Sequence, residues 1–301
     1  MTPETVALPR REDAGARDAG LAAKEQRLHD LLASCDSLIV AFSGGVDSAY
    51  LAWAATRALG SSVLCVTADS PSYPDHHRQL ALRIAREFEL HHEIIRTAEL
   101  DRPEYRANPV NRCYFCKHEL YTALSLLARE RGFDVIADGS NADDRGDYRP
   151  GRQAAREFRV RSPLDEAELT KDEIRELSRR AGLPTWDEPA SACLSSRIPY
   201  HSEVTDEKLR MIEAAERALR GMGFRVCRVR HHDQPASIGT GTPAALARLE
   251  IGREEMARAL EPDMRDRIVS ELRSVGYRHV TIDLQGYRMG SLNEGVRLRP
   301  A

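Results

Sequence analysis

Residues 38–50 read LIVAFSGGVDSAY, an apolar run that passes into a glycine-bearing turn and on into a helix-like stretch. Leu38, Ile39, Val40 and Phe42 carry no polar interruption, the pattern of a strand covered on both faces. Gly44 and Gly45 then let backbone amides approach an anion with no Cβ in the way. From about Val46 the segment VDSAYLAWAATRAL reads as a helix, whose free N–H groups and positive dipole end face the same spot. The turn has no lysine. A Walker-type loop ends in GK[ST], and its lysine serves the β- and γ-phosphates; here Ser43, Gly44, Gly45 and Ser48 offer hydroxyls and amides alone. Such a cradle suits pyrophosphate, the leaving group when ATP is attacked at its α-phosphorus, so the predicted chemistry is adenylation and not phosphorylation. Asp47 offers a carboxylate to the Mg²⁺ that accompanies the triphosphate. The predicted nucleotide-binding set at this turn is Ala41, Ser43, Gly44, Gly45, Val46, Asp47 and Ser48. The plain alternative is a glycine-rich strand-to-helix turn in which Ser43 only caps the helix.

Working outward, residues 1–20 are charged and aperiodic and read as a flexible tail, with structure starting near Leu21. Leu21, Leu28, Leu31 and Leu32 share a helical face ahead of the first strand. After the loop helix come a second strand, SSVLCVTADSP, a helix, DHHRQLALRIAREF, a short strand, HHEIIRT, and a fourth strand running into DGSNADD. Strands alternating with helices at this spacing predict an α/β fold with a doubly wound parallel sheet over residues 21–200. Ligands bind such sheets beyond the carboxyl ends of the strands, where SGGVDS, TADS and DGSNADD converge. Thr67, Ala68 and Asp69 are expected on the adenosine side with Asp138 and Gly139, while Asn141, Asp143 and Asp144 serve metal or substrate, or else cap and turn the chain. Residues 201–301 read as a smaller α+β domain for substrate binding or oligomerisation. It holds a helix capped by Thr205, the strand FRVCRVRHH, a Gly-, Thr- and Pro-rich loop over 233–247, and the closing YRHVTIDLQGYRMGS. Arg228 and Arg230 lie two apart and so share a strand face, suited to phosphate or carboxylate recognition, or else a solvated basic edge.

At 301 residues and 42% hydrophobic content the chain can bury a large core. It has no run of about 18 apolar residues and no apolar leader, which predicts a cytoplasmic enzyme with no membrane partner. A net charge of −3 gives no general field for a polyanion, so nucleic acid is not the expected partner. Six cysteines in a reducing compartment point to metal or redox use rather than to disulfides. Cys113 and Cys116 form a CxxC, and Cys193 lies far along the chain. Three thiolates suit a 4Fe–4S cluster with one iron open, whereas zinc needs a fourth ligand such as His118. Cys35, Cys65 and Cys227 sit in apolar contexts and read as core.

SGGVDS with DGSNADD, then NRCYFCK, ACLSSR and VTIDLQGYRMGSLNE, together resemble the ATP-dependent sulfur transferases that make the nickel-pincer nucleotide cofactor of lactate racemase, from about residue 25 to the C-terminus. SGGVDS alone is shared across the wider ATP-pyrophosphatase superfamily. The resemblance implies a nucleotide substrate, pyridinium-3,5-biscarboxylic acid mononucleotide, whose carboxylate is adenylated before sulfur displaces AMP. It implies that Cys193 handles sulfur, taken from a sulfide source or from the cysteine itself, and that Ser196, Arg197, Glu216, Arg228 and Arg230 form the substrate pocket. It also implies a homo-oligomer, trimeric or hexameric. The CxxC implies the subtype in which Cys113, Cys116 and Cys193 hold a 4Fe–4S cluster. A tRNA-thiolating enzyme is the alternative; it needs an RNA-binding module, and no extra zinc ribbon or strongly basic segment accompanies these motifs.

Overall fold

A computed structural model describes residues 11–146, 150–189, 192–234, 244–288 and 290–291, with side chains from residue 18 onward. The first helix, α1 (Arg11–Ala33), begins within the expected tail, of which residues 1–10 lie outside the described residues. It buries Leu21, Leu28 and Leu32 against the first domain.

Strands β1 (Leu38–Ala41), β2 (Val63–Asp69), β3 (His92–Arg96) and β4 (Val135–Ala137) form one sheet in the order β3-β2-β1-β4. Every pairing in it is parallel. The chain builds outward from β1 to β3, then returns to lay β4 on the other side of β1, so the topological switch falls between β1 and β4. Helices α2 (Val46–Leu59), α3 (Asp75–Glu87), α4 (Pro103–Arg106), α5 (Arg112–Arg131), α6 (Gly151–Glu157), α7 (Pro163–Glu166) and α8 (Lys171–Arg180) accompany it. The apolar run at 38–41 is explained by its two covers: Leu38 and Val40 pack with α1, α2 and α3, while Ile39 and Ala41 face Tyr121 and Leu124 of α5.

Beyond residue 205, α9 (Asp206–Gly221), β5 (Cys227–Gln234), β6 (Ala244–Ile251), α10 (Met256–Leu260), α11 (Pro262–Val275) and β7 (His279–Ile282) form the second unit. Its sheet runs β5-β6-β7, antiparallel then parallel. Much of the expected 233–247 loop, residues 235–243, lies outside the described residues. Helix α9 joins the two halves. Its Leu209 and Ile212 pack with Tyr105, Leu194 and Ile198, whereas Ala215 and Leu219 enter the core of the second unit. Among the described residues no helix is long and apolar enough to cross a membrane.

Candidate active site

The cradle forms where β1 gives way to α2. Gly45 precedes the helix in an extended conformation, and no side chain caps it, Ser43 included. The first amides of α2 are thus left for a ligand. Ser48 closes the turn: its hydroxyl accepts from the Ser43 amide at 3.1 Å and donates to the Gly45 carbonyl at 3.1 Å. Gly44 has φ +67°, and a Cβ on it would lie 2.9 Å from the Ala81 nitrogen in α3. Gly139, at the end of β4, is equally tight, since its Cβ would meet the Ser48 nitrogen at 3.0 Å. Both glycines are therefore demanded by backbone approach, and SGGVDS and DGS close on one another at the switch point.

The loop has no lysine of its own, but the fold brings one to it. Lys171 opens α8, whose cap is a reciprocal box between Thr170 and Glu173. Its Nζ lies 2.5 Å from Asp47 Oδ2, and its amide donates to Asp143 Oδ2 at 2.8 Å. Asp47 Oδ1 is buried with no partner among the described residues. The sequence TKDE announces a helix start; nothing in it names a target 124 residues away.

The other strand ends divide. Thr67 is fully buried, donating to the Phe42 carbonyl at 2.7 Å and pairing with His92 Nε2 at 2.8 Å, so its hydroxyl holds β2 to β1. Ala68 and Asp69 stay half-buried at the tip of β2. Asp138 accepts from Tyr121 at 2.7 Å and from Ser162 at 2.8 Å. Burial opposes its charge, yet Lys117, Tyr121 and Ser162 outweigh that and hold the carboxyl below its usual range. Asn141, Asp143 and Asp144 are occupied in the turn: Asn141 Oδ1 accepts the Asp143 amide at 3.0 Å, and Asp144 Oδ2 accepts the Asn141 amide at 3.0 Å. In this state the capping side of the two readings describes them.

The cysteines separate by burial. Cys35, Cys65 and Cys227 are core residues, as expected, while Cys113, Cys116 and Cys193 reach solvent. Cys113 and Cys116 lie in the first turn of α5, and Cys193 precedes the short 3₁₀ turn Leu194–Arg197. Cys193 acts electrostatically on both Cys113 and Cys116, and Cys113 acts on Cys116. Desolvation raises the Cys116 thiol well above its ordinary value, with Glu99, Cys193 and Cys113 adding to it. The Cys113 thiol is raised too, although the residue as a whole is exposed, because desolvation and Cys193 outweigh the neighbouring Arg112 and Lys117. The three do not meet at metal-ligand spacing here, and no trio of His, Cys, Asp or Glu does so among the described residues. His118 is turned elsewhere, 3.3 Å from Arg102 and edge-on to Phe158, so it does not complete a zinc site.

Two cations flank the thiols. Arg112 is buried and donates to Asn108 and to the Ser195 carbonyl, tying α5 to the Cys193 turn. Lys117 stands over the Tyr121 ring, and its charge acts on both Cys116 and Asp138. It thus lies between the sulfur side and the cradle. Its place next to the CxxC was a signal in the sequence, but its reach to β4 was not.

Arg197 and Glu216 form a fully buried pair at 2.8 Å. Arg197 also donates to the Cys193 carbonyl at 3.0 Å and to Ser196 Oγ at 2.9 Å, so the charge sits on the cysteine turn itself. Arg228 and Arg230 are buried and not a solvated edge. Arg230 donates to Glu250 at 2.6 Å and to the Ser196 carbonyl at 2.9 Å, yet its Nε has no partner among the described residues. The Arg228 guanidinium lies 5.0 Å from the Tyr287 ring centre. Glu250, on the strand facing β5, was not anticipated; only cross-strand pairing places it there.

No family model matches the chain. A protein of Synechocystis sp. with no assigned function is 40% identical over 91% of this chain and 98% of its own length. The pyridinium-3,5-bisthiocarboxylic acid mononucleotide synthase of Lactiplantibacillus plantarum is 33% identical over 92% of this chain and 96% of its own. A glutamine-hydrolysing GMP synthase of Synechococcus sp. is 27% identical over 61% of this chain and 39% of its own length. With identity of this degree running the length of both chains, and with the cradle, the strand order and the sulfur-bearing turn in place, this protein belongs to the family of the pyridinium-3,5-bisthiocarboxylic acid mononucleotide synthases.

Proposed function

We propose that this enzyme converts a carboxylate of pyridinium-3,5-biscarboxylic acid mononucleotide to a thiocarboxylate at the expense of ATP. The observation that carries the reading is a juxtaposition. A lysine-free amide cradle at the β1/β4 switch is tied through the 70–73 turn to the cysteine turn: Tyr73 donates to the Ser43 carbonyl at 2.9 Å and the Leu194 amide to the Ser72 carbonyl at 2.8 Å. The cysteine turn carries solvent-reaching Cys193, with the buried Arg197 and Arg230 bonded to it. The substrate carboxylate oxygen attacks the α-phosphorus of ATP and pyrophosphate leaves into the cradle, where the α2 amides and Lys171 receive its charge. The orphaned Asp47 Oδ1 fits a magnesium ligand, and Asp47 would hold Mg²⁺ there as the triphosphate's counter-charge. Hydrosulfide then displaces AMP from the acyl adenylate, giving the thiocarboxylate and a proton. Ser196, Arg197, Arg228 and Arg230 hold the nucleotide, with Glu216 keeping Arg197 in place.

Cys113, Cys116 and Cys193 suit a 4Fe–4S cluster by donor chemistry: they are soft thiols, near one another, outside the core and beside Arg112. Held by these three cysteines, the cluster would supply a soft metal site for the incoming sulfide. Without it, the Cys193 thiolate would itself displace AMP from the acyl adenylate to form a thioester, and loss of its Cα proton with cleavage of its Cβ–S bond would release the thiocarboxylate and leave a dehydroalanine, so the enzyme is spent. The family resemblance adds an oligomer, testable by sedimentation. The deciding experiment is anaerobic incubation with ATP, Mg²⁺, sulfide and the biscarboxylated nucleotide, followed by mass measurement of product and protein. Several products per chain with protein of unchanged mass, lost in Cys193→Ala, is expected. Protein lighter by H₂S identifies the consumed cysteine, and product lacking sulfur overturns the reading.

A further inference from the structure

The turn between β2 and α3 is braced from behind. Glu99, 2% exposed, accepts the Ser70 hydroxyl at 2.5 Å and the Ser72 hydroxyl at 2.6 Å on one carboxylate oxygen. The Ser72 carbonyl accepts the Leu194 amide at 2.8 Å, and the Tyr73 amide closes the turn on the Ser70 carbonyl at 3.0 Å. A side chain carried on such a turn has little freedom in where it reaches. Tyr73 reaches the cradle, where its hydroxyl donates to the Ser43 carbonyl at 2.9 Å. Burial first, and then Asp69, push that hydroxyl above its ordinary value against the pull of Arg78, so it stays a donor at neutral pH.

The polar groups of Ser43 are engaged inside the protein. Its amide donates to Ser48 Oγ at 3.1 Å, its hydroxyl pairs with that same oxygen at 3.1 Å, and its carbonyl is held by Tyr73. Gly44, the next residue, is fixed from its other side, since a Cβ on it would lie 2.9 Å from the Ala81 nitrogen. One peptide unit is thus held at both ends by the segment 73–81. A trans peptide points its N–H opposite to its C=O, so a carbonyl held on Tyr73 turns the Gly44 amide away from the tyrosine. No described residue accepts a hydrogen bond from that amide. An oriented donor with no protein acceptor is available to a ligand.

We propose that Tyr73 is a positioning residue of the cradle: through the Ser43 carbonyl it aims the Gly44 amide at the departing pyrophosphate. The inference rests on the cradle reading given above and adds to it a side chain that touches no substrate atom. Without the hydroxyl, the Ser43–Gly44 peptide can turn about the bonds on either side of it, and glycine, which populates both signs of φ, resists that turn least. The tyrosine therefore supplies an orientation that the SGGVDS sequence does not. Negative charge on pyrophosphate grows as its bond to the α-phosphorus breaks, so an amide aimed at it acts more on bond breaking than on ATP binding.

Calorimetric titration of wild type and Tyr73→Phe with magnesium pyrophosphate, and separately with AMP, tests this without turnover. The substitution deletes one hydroxyl, keeps the ring and leaves the backbone bond from Leu194 to Ser72 in place. Pyrophosphate should bind the variant about tenfold more weakly, because one aimed donor is lost. AMP, whose single phosphate stays on the α side, should bind both proteins equally and so reports that the variant is folded. With ATP and the biscarboxylated nucleotide, the maximal rate of pyrophosphate release should fall about tenfold while the KM for ATP moves much less. Equal affinity of wild type and variant for pyrophosphate overturns the assignment. So does an equal weakening toward pyrophosphate and AMP, which would make Tyr73 a brace for the whole nucleotide site. A wild type that binds AMP but not pyrophosphate defeats the cradle reading itself, and the Tyr73 role with it.

Discussion

The cradle and the arginine cleft lie side by side and are built in opposite ways. The cradle is backbone: open amides, two glycines pressed against Ala81 and Ser48, and a hydroxyl that ties the turn to itself. The cleft is side chain: Arg197 on Glu216 and Arg230 on Glu250, partners 19 and 20 residues apart, all buried. A surface made of amides tolerates no added atom, whereas a surface made of paired charges tolerates no removed one. The two halves should therefore fail differently, and that difference can be measured.

The largest effect belongs to the cleft. Glu216→Gln leaves Arg197 charged in a fully buried site, although Glu216 also accepts the Val229 amide at 3.1 Å and part of that contact survives. The expected loss is about 3–5 kcal/mol of folding stability, read from denaturant unfolding. Replacing both partners by methionine should restore much of the stability and none of the nucleotide binding. A single variant as stable as the wild type would show that water already screens the pair. The loss should also be mimicked by acid. Burial opposes the Glu216 charge but Arg197 overrides it and depresses the carboxyl, so its contribution is full above the ordinary glutamate value and falls away as pH drops through the depressed one.

The cradle should fail more mildly in stability and as badly in function. Gly44→Ala asks an L-residue to hold φ +67° and brings a Cβ to 2.9 Å from the Ala81 nitrogen. Left-handed strain of about 1–2 kcal/mol, with a displaced α3, predicts a total of about 2–3 kcal/mol. Pyrophosphate release should fall in parallel, because the shift moves the amides that receive the leaving group. A melting temperature unchanged from wild type would mean that α3 yields freely and that the tight approach is not what selects glycine.

The same contrast explains what could be read beforehand. The parallel sheet, the turn at 43–48 and the burial of Leu38 to Ala41 follow from periodicity and glycine placement within a few residues of chain, and they stand as read. The sorting of the six cysteines into three core and three solvent-reaching follows likewise from local apolar context. Side chains that act at a distance were not legible. Arg112 looks like one more charged residue in NRCYFCK, yet it is buried because Ser195, 83 residues on, folds over it. Thr67 looks like a ligand at a strand end, but the neighbouring strands take its hydroxyl. Helix propensity extends α1 back to Arg11 through Ala- and Glu-bearing sequence whose charge had suggested a tail.

Lys171 belongs to both halves, a side chain lent to a backbone site, and for that reason its removal should show the smallest effect and the most specific one. Its ion pair with Asp47 is only part-buried, with the two side chains 30% and 23% exposed, so Lys171→Met should cost less than about 1 kcal/mol of stability. Function should respond more. A charge-assisted contact to departing pyrophosphate is worth about 1.5–3 kcal/mol, which predicts a loss of at least about tenfold in pyrophosphate release, with Lys171→Arg retaining part of it. The split matters more than either number. If stability falls and release does not, the lysine merely neutralises Asp47, and the cradle binds pyrophosphate with amides alone. If release falls while stability holds, α8 completes a phosphate site whose missing cation the loop itself never encodes.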